Sequence, residues 1–137
     1  NTHQHAHLLP SVLKAVLKVS CEFGIRAIRL PAEHQPIRPN RRLRSWLWPM
    51  AAGAARLSKP TIYQAGLSCP DNMLGGPESG HMTTQALSQL LQQLPEGTTE
   101  LVMHPETGGS DLEALLNPSI RQELDHAGIE RVAFNVL

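Results

Sequence analysis

The chain has 137 residues, with 12 Lys+Arg against 12 Asp+Glu and no formal net charge when the histidines are neutral. That balance excludes a function built on bulk attraction to nucleic acid or an anionic membrane, and 41% hydrophobic against 18% charged residues excludes a disordered chain. The length fits about one domain, and no apolar run approaches the ~18 residues of a membrane span. Two cysteines, Cys21 and Cys69, are too few for a disulfide framework; each reads as a small buried residue of a protein in the reducing cytoplasm. What stands out is histidine, with seven copies against five aromatic residues.

Short β-like runs alternate with helical patterns, the order expected of an α/β chain made of parallel βα units. Residues 2–7 read as a strand end. Pro10 and Ser11 then open a helix whose Val12, Leu13, Val16 and Leu17 share a face, and Gly24 stops it. Residues 25–30 read as a strand, 31–40 with three prolines as a loop, and 41–57 as a helix broken or restarted at Pro49. A short strand follows at 61–65. Residues 66–80 hold four glycines and two prolines and read as a functional loop. Thr83 or Thr84 caps a helix with Leu87, Leu90, Leu91 and Leu94 on one side, ended by Pro95 and Gly97. Residues 99–103 are the clearest strand and run straight into His104-Pro105. A Gly108-Gly109 turn leads to helix at 112–116. Asn117-Pro118 caps a last helix through Ile120, Leu124 and Ala127 to Gly128, and residues 131–136 read as a closing strand. The expected total is about five strands and four or five helices.

His3-Gln4-His5-Ala6-His7 is the sharpest local motif. On a strand all three imidazoles face one side; on a helix only His3 and His7 do. Either way ligands converge, and a hydrolytic metal site needs imidazoles plus an open position for water. A tag remnant or a solvated strand end is the bland alternative; the alternation with Gln and Ala, and the direct passage into helix at Leu8, argue against a tag. His104 stands where a parallel strand emits its loop, the place where α/β folds keep catalytic groups. Arg29, near another strand end, is suited to an anionic or hydroxyl-rich substrate, to a site carboxylate, or to a surface ion pair. Arg38, Arg41, Arg42 and Arg44 beside Trp46 and Trp48 read as a solvated loop and helix start, with stacking plus cation binding as the alternative. His34, His81 and His126 lack ligand spacing and read as structural.

Several motifs together resemble one family. Asn-Thr-His-Gln-His-Ala-His-Leu-Leu-Pro at 1–10, Ala-Ile-Arg-Leu-Pro at 27–31 and Ala-Gly-Leu-Ser-Cys-Pro-Asp-Asn-Met-Leu-Gly at 65–75 are similar to the YdjC-like carbohydrate deacetylases. Ser-Gly-His-Met-Thr at 79–83, Glu-Leu-Val-Met-His-Pro at 100–105 and Asp-Leu-Glu-Ala-Leu-Leu-Asn-Pro-Ser-Ile-Arg at 111–121 continue the likeness in the same order, most like the branch associated with hopanoid biosynthesis. The resemblance implies a deformed (β/α) barrel of which residues 1–137 are the C-terminal portion. It further implies hydrolytic removal of acetyl from an N-acetylated amino sugar or glycoconjugate, assisted by a divalent metal, magnesium or zinc. His3 corresponds to a metal ligand, with His5 and His7 lining the same pocket or supporting the ligand. His104 corresponds to a general acid or the partner of a ligand, Arg29 to a strand-end substrate contact, and Asp71 to the acidic loop residue.

Thr2 replaces the usual Ser, and Glu106 stands where a glycine normally follows His-Pro. The family's Asp-Asp motif and earlier histidine ligand have no counterpart in these residues. The expectations are therefore a longer parent chain, catalytic incompetence of the 137 residues alone, and strand edges covered by the missing N-terminal half or by a homo-oligomer. A partial-barrel binding module is the non-enzyme alternative. An amidohydrolase-like metal hydrolase ranks lower, because only His104 would follow its His-x-His pair.

Overall fold

The computed structural model describes residues 2–32, 47–134 and 137. It is a mixed α/β structure. A short 3-10 helix (His3–Leu8) leads into α1 (Pro10–Glu22), followed by α2 (Leu47–Gln64), β1 (Asn72–Leu74), α3 (Thr84–Leu91), β2 (Thr99–Leu101), α4 (Ser110–Leu116) and α5 (Pro118–His126). β1 and β2 are parallel, with Met73 opposite Glu100. The segment after α2 lies parallel to residues 26–28 through one bridge, Ala27 to Ser68, where Ser68 N–H donates to Arg26 O at 2.7 Å and Ile28 N–H to Ser68 O at 3.0 Å.

Two apolar clusters hold these layers. In the first, Leu13 of α1, Ile28 and Leu30, Ala55 and Ile62 of α2, and Leu67 with Cys69 pack together. In the second, Met82, Ala86, Leu87 and Leu90 meet Ala114 of α4 and Ile120 of α5, with Leu101 and Met103 packed against them. The caps are as expected: Thr83 Oγ1 accepts from Ala86 N–H at 3.2 Å, and Asn117 Oδ1 from Ser119 N–H at 3.0 Å ahead of Pro118. Each satisfies a backbone donor that a helix start leaves open.

Five expectations need correction. Residues 25–30 do not form a full strand: they pair only through the bridge at Ala27, so the described residues hold two strands and one bridge where about five strands are expected. Residues 2–7 are not a strand: the His7 N–H donates to Thr2 Oγ1 at 2.9 Å, and this local bond curls the segment into the 3-10 helix. Residues 61–64 end α2 instead of forming a strand, because burial of Ile62 beside Ala55, two helical turns earlier, overrides the β preference of Thr-Ile-Tyr. The supposed loop at 66–80 contains β1. Residues 131–134 form no strand; Arg131 instead lies 3.6 Å from Asp125, and β2 has β1 as its one partner among the described residues. Cys69 is buried as expected, whereas Cys21 is exposed. The Arg/Trp cluster from Arg38 to Trp46, the side chain of Trp48, and His34 lie outside the described residues. No helix among those described is long and apolar enough to cross a membrane.

Candidate active site

The predicted residues fall into two groups and an outlier. The first group forms where the 3-10 helix meets the extended segment at Arg29. His7 is fully buried, with Nδ1 2.7 Å from Thr2 Oγ1 and Nε2 3.0 Å from the carbonyl oxygen of Arg29. A carbonyl only accepts, so Nε2 carries the proton and Thr2 donates its hydroxyl hydrogen to Nδ1. Both ring nitrogens are thus committed inside the fold, and burial holds the imidazole below its ordinary pKa despite the Arg29 carbonyl. Thr2 supplies the same hydroxyl that a Ser would.

His5 meets His7 edge to face, with ring centroids 6.1 Å apart. Its backbone has φ +57°, a region in which non-glycine residues are uncommon. Burial, and then the charges of Arg29 and His7, pull its pKa down to about 4. Arg29 itself reaches Glu100 of β2: Nε and Nη2 donate to Oε1 at 2.8 and 2.5 Å, with the two side chains 22% and 9% exposed. Arg29 therefore pairs with a largely buried carboxylate and not with a surface acid. The side chain of His3 lies outside the described ones.

The second group forms beyond the C-terminal ends of the strands. His104 is exposed, and its Nδ1 is hydrogen-bonded to Ser79 Oγ. Beneath it Asp111, 1% exposed, gathers three backbone donors: His104 N–H at 2.8 Å and Gly80 N–H at 2.9 Å on Oδ2, and Met82 N–H at 2.7 Å on Oδ1. Burial opposes charge on this carboxyl, but the N–H groups of His104, Gly80 and Met82 outweigh it and hold the group below its ordinary range. Gly75 makes the close approach before this loop possible, at φ +84°; a Cβ there would lie 2.9 Å from Val102 O.

Asp71 is the outlier. Its Oδ2 accepts from Thr98 N–H at 2.9 Å and Thr98 Oγ1 at 2.8 Å, which ties together the N-terminal ends of β1 and β2, the opposite end from His104. The Thr98 backbone bond, then its hydroxyl, lowers the carboxyl pKa. Gly97 gives Asp71 room, since a Cβ there would stand 2.6 Å from Oδ2. The structure thus unites His5, His7 and Arg29, puts His104 four residues along the chain from Glu100, about 13 Å at ~3.3 Å per extended residue, and leaves Asp71 apart.

Among the described residues, no group of three or more His, Cys, Asp and Glu side chains converges as a metal cage. His7 has no nitrogen to spare, so these residues do not by themselves fit a complete metal site.

Comparison with known proteins settles the lineage. The sequence profile of the YdjC-like protein family matches residues 1–126. The chain belongs to the YdjC-like family. A carbohydrate deacetylase of Mus musculus is 31% identical over 120 residues, covering 75% of this chain and 36% of that protein. The YdjC-like chain thus spans about a third of the length of that curated relative. No solved structure matches it.

Sequence reasoning missed Ser79, Glu100 and Asp111. Strand alternation carried the signal for Glu100, two positions before Val102 and four before His104 on one face. Asp111 resembled an ordinary acidic residue in a helix's first turn. Ser79 carried no signal beyond its place in a quoted motif.

Proposed function

We propose that these residues are the C-terminal portion of a YdjC-like (β/α)-barrel domain that hydrolyses the acetamide of an N-acetylated amino sugar or glycoconjugate. The proposal includes cytoplasmic location, the hopanoid-associated branch, and incompetence of the 137 residues alone. The observation that carries it is His104: an exposed imidazole at the C-terminal side of a parallel strand, with its backbone and one ring nitrogen both held. Support also comes from the family match and from the name of the mouse relative.

In this reading water adds to the acetyl carbon and gives its proton to a carboxylate outside these residues. As the C–N bond breaks, His104 delivers a proton from Nε2 to the departing amine. Arg29, fixed by Glu100, and His5 bind and orient the sugar, with His7 holding the Arg29 carbonyl. Asp71 contributes by fixing the strand starts. Family likeness would add a divalent metal, magnesium or zinc, with His3 as its candidate ligand. Calorimetric titration of the full-length protein with each metal, with and without His3→Ala, tests that part.

A second feature bears on the rest of the proposed barrel. An apolar groove of about 860 Å³ runs between α3, α5, β2 and residues 128–134, lined by Leu87, Leu91, Leu101, Leu124, Ile129 and Phe134 among others. We assign it to the remainder of the barrel, in keeping with the 36% coverage of the mouse relative. Acetate release from N-acetylglucosamine oligosaccharides is the test. The full-length protein should release acetate and the 137-residue chain should not; inactivity of both rejects the deacetylase reading. Dimerisation of the full-length protein through this groove would instead favour the interaction-module reading.

A further inference from the structure

We propose that Ser79 is a positioning residue for His104, holding Nδ1 so that Nε2 is the nitrogen that exchanges a proton with substrate. The identity of that substrate rests on the deacetylase reading; the positioning does not.

Ser79 and His104 are 25 residues apart, on the loops that follow β1 and β2, so chain connectivity does not bring them together. Asp111 does. Its Oδ2 accepts simultaneously from the N–H of Gly80, the neighbour of Ser79, and from the N–H of His104, while Oδ1 holds Met82. Met82 is fully buried in the second apolar cluster, which anchors the far side of the Ser79 loop. The serine's loop is thus fixed in the core at Met82 and, through Gly80, joined to the histidine's own backbone by one carboxylate oxygen.

The proton accounting gives the direction of the Ser79 bond. An acid form of His104 carries hydrogens on both nitrogens, so Nδ1–H donates to Ser79 Oγ. Once Nε2 has passed its proton to the leaving amine, the Nδ1–H form remains and the same bond persists. With the bond intact in both states, the ring need not turn during the cycle. No described residue hydrogen-bonds to Nε2, which leaves it open to substrate. The opposite assignment, Ser79 as nucleophile, would require the imidazole to take its proton at Nδ1 with a partner orienting Nε2; Asp111 instead binds backbone N–H groups and not the ring.

The experiment is nitrogen-15 NMR of the histidines in the full-length protein, at a pH where His104 is neutral, paired with acetate-release kinetics. The unsubstituted protein should show the Nδ1–H tautomer at His104. Ser79→Ala should shift it toward Nε2–H and lower kcat about tenfold with KM unchanged, part of the 10²–10⁴-fold that general acid catalysis supplies. Ser79→Thr should restore both. An Nε2–H tautomer in the unsubstituted protein, no change on Ser79→Ala, or an acetyl adduct trapped on Ser79 overturns the proposal. If the unsubstituted protein releases no acetate, the deacetylase reading fails, and the tautomer comparison alone decides the role of Ser79.

Discussion

His7 and His104 are the same side chain put to opposite uses. His7 is sealed inside the first half of the molecule, with both ring nitrogens engaged by Thr2 and the Arg29 carbonyl. His104 sits at the surface of the second half with one ring nitrogen engaged. An imidazole with both nitrogens spoken for is a cross-link, because any ligand or proton must first break a buried hydrogen bond. One held at a single nitrogen is oriented and still reactive. The contrast extends to their carboxylates: Glu100 neutralises Arg29 beneath the first histidine, whereas Asp111 binds only backbone N–H groups beneath the second. Proximity within a histidine-rich motif is therefore a poorer guide to chemistry than the number of ring nitrogens left open.

The largest expected disruption comes from Asp111→Ala. It strands three backbone donors, two of them on the loop that carries Ser79 and two of the three partly reached by water, and should destabilise the protein by about 3 kcal/mol, judged from the low end of the ~1–3 kcal/mol typical of each buried donor left unsatisfied. Denaturant unfolding measures this, and a loss below about 1 kcal/mol would show that the His104 region does not depend on the carboxylate.

Acid should separate the two halves in sequence. The pKa of His7 is lowered by folding from the ordinary 6.5, so the unfolded chain binds more protons below that value. Its contribution is complete above about pH 6.5 and declines as the pH falls below it. Asp111 is lowered from 3.8, so its contribution is present above about pH 4 and is lost as the pH falls through its folded value. His5, lowered to about 4, adds to the loss in the same window, so thermal melts should lose stability between pH 7 and 5 in the unsubstituted protein, with the loss reduced but not abolished in His7→Gln, and lose more below pH 4. A melting temperature flat from pH 7 to 5 would contradict the sealed state of His7.

The smallest effect is chemical. Cys69 packs in the first cluster, and burial, partly offset by Lys59, raises its thiol to about 11, whereas Cys21 is exposed. A thiol reagent should modify Cys21 in the folded protein and reach Cys69 only on unfolding; equal rates would show that the first half is loosely packed.

The helices were legible because their signals are local. Pro10, Thr83, Asn117 and Pro118 mark starts that the structure confirms, and Leu87 and Leu90 bury the predicted face. Strands were less so. Residues 67–74 combine glycine and proline neighbours with pairing on both sides, and only the partners at Ala27 and at 99–101 reveal them as sheet. Thr61 and Tyr63 favour strand by propensity, but Ile62 is drawn into a helical face by the core. The site divided along the same line. Arg29 and His104 stood out by residue type at expected strand ends, although Arg29 lies two residues past a single bridge and not in a strand, whereas Ser79 and Asp111 are defined by contacts across 25 and 31 residues that no local pattern encodes.

The most direct measurement is a side-by-side assay of His104→Gln and His7→Gln in the full-length protein, recording acetate release and melting temperature for each. His104→Gln should lose at least about 100-fold in kcat, the low end for a general acid, and keep its melting temperature; His7→Gln should lose melting temperature, with a smaller effect on kcat. Retained activity in His104→Gln, or an unchanged melting temperature in His7→Gln, would contradict the assignment of one reactive and one structural imidazole.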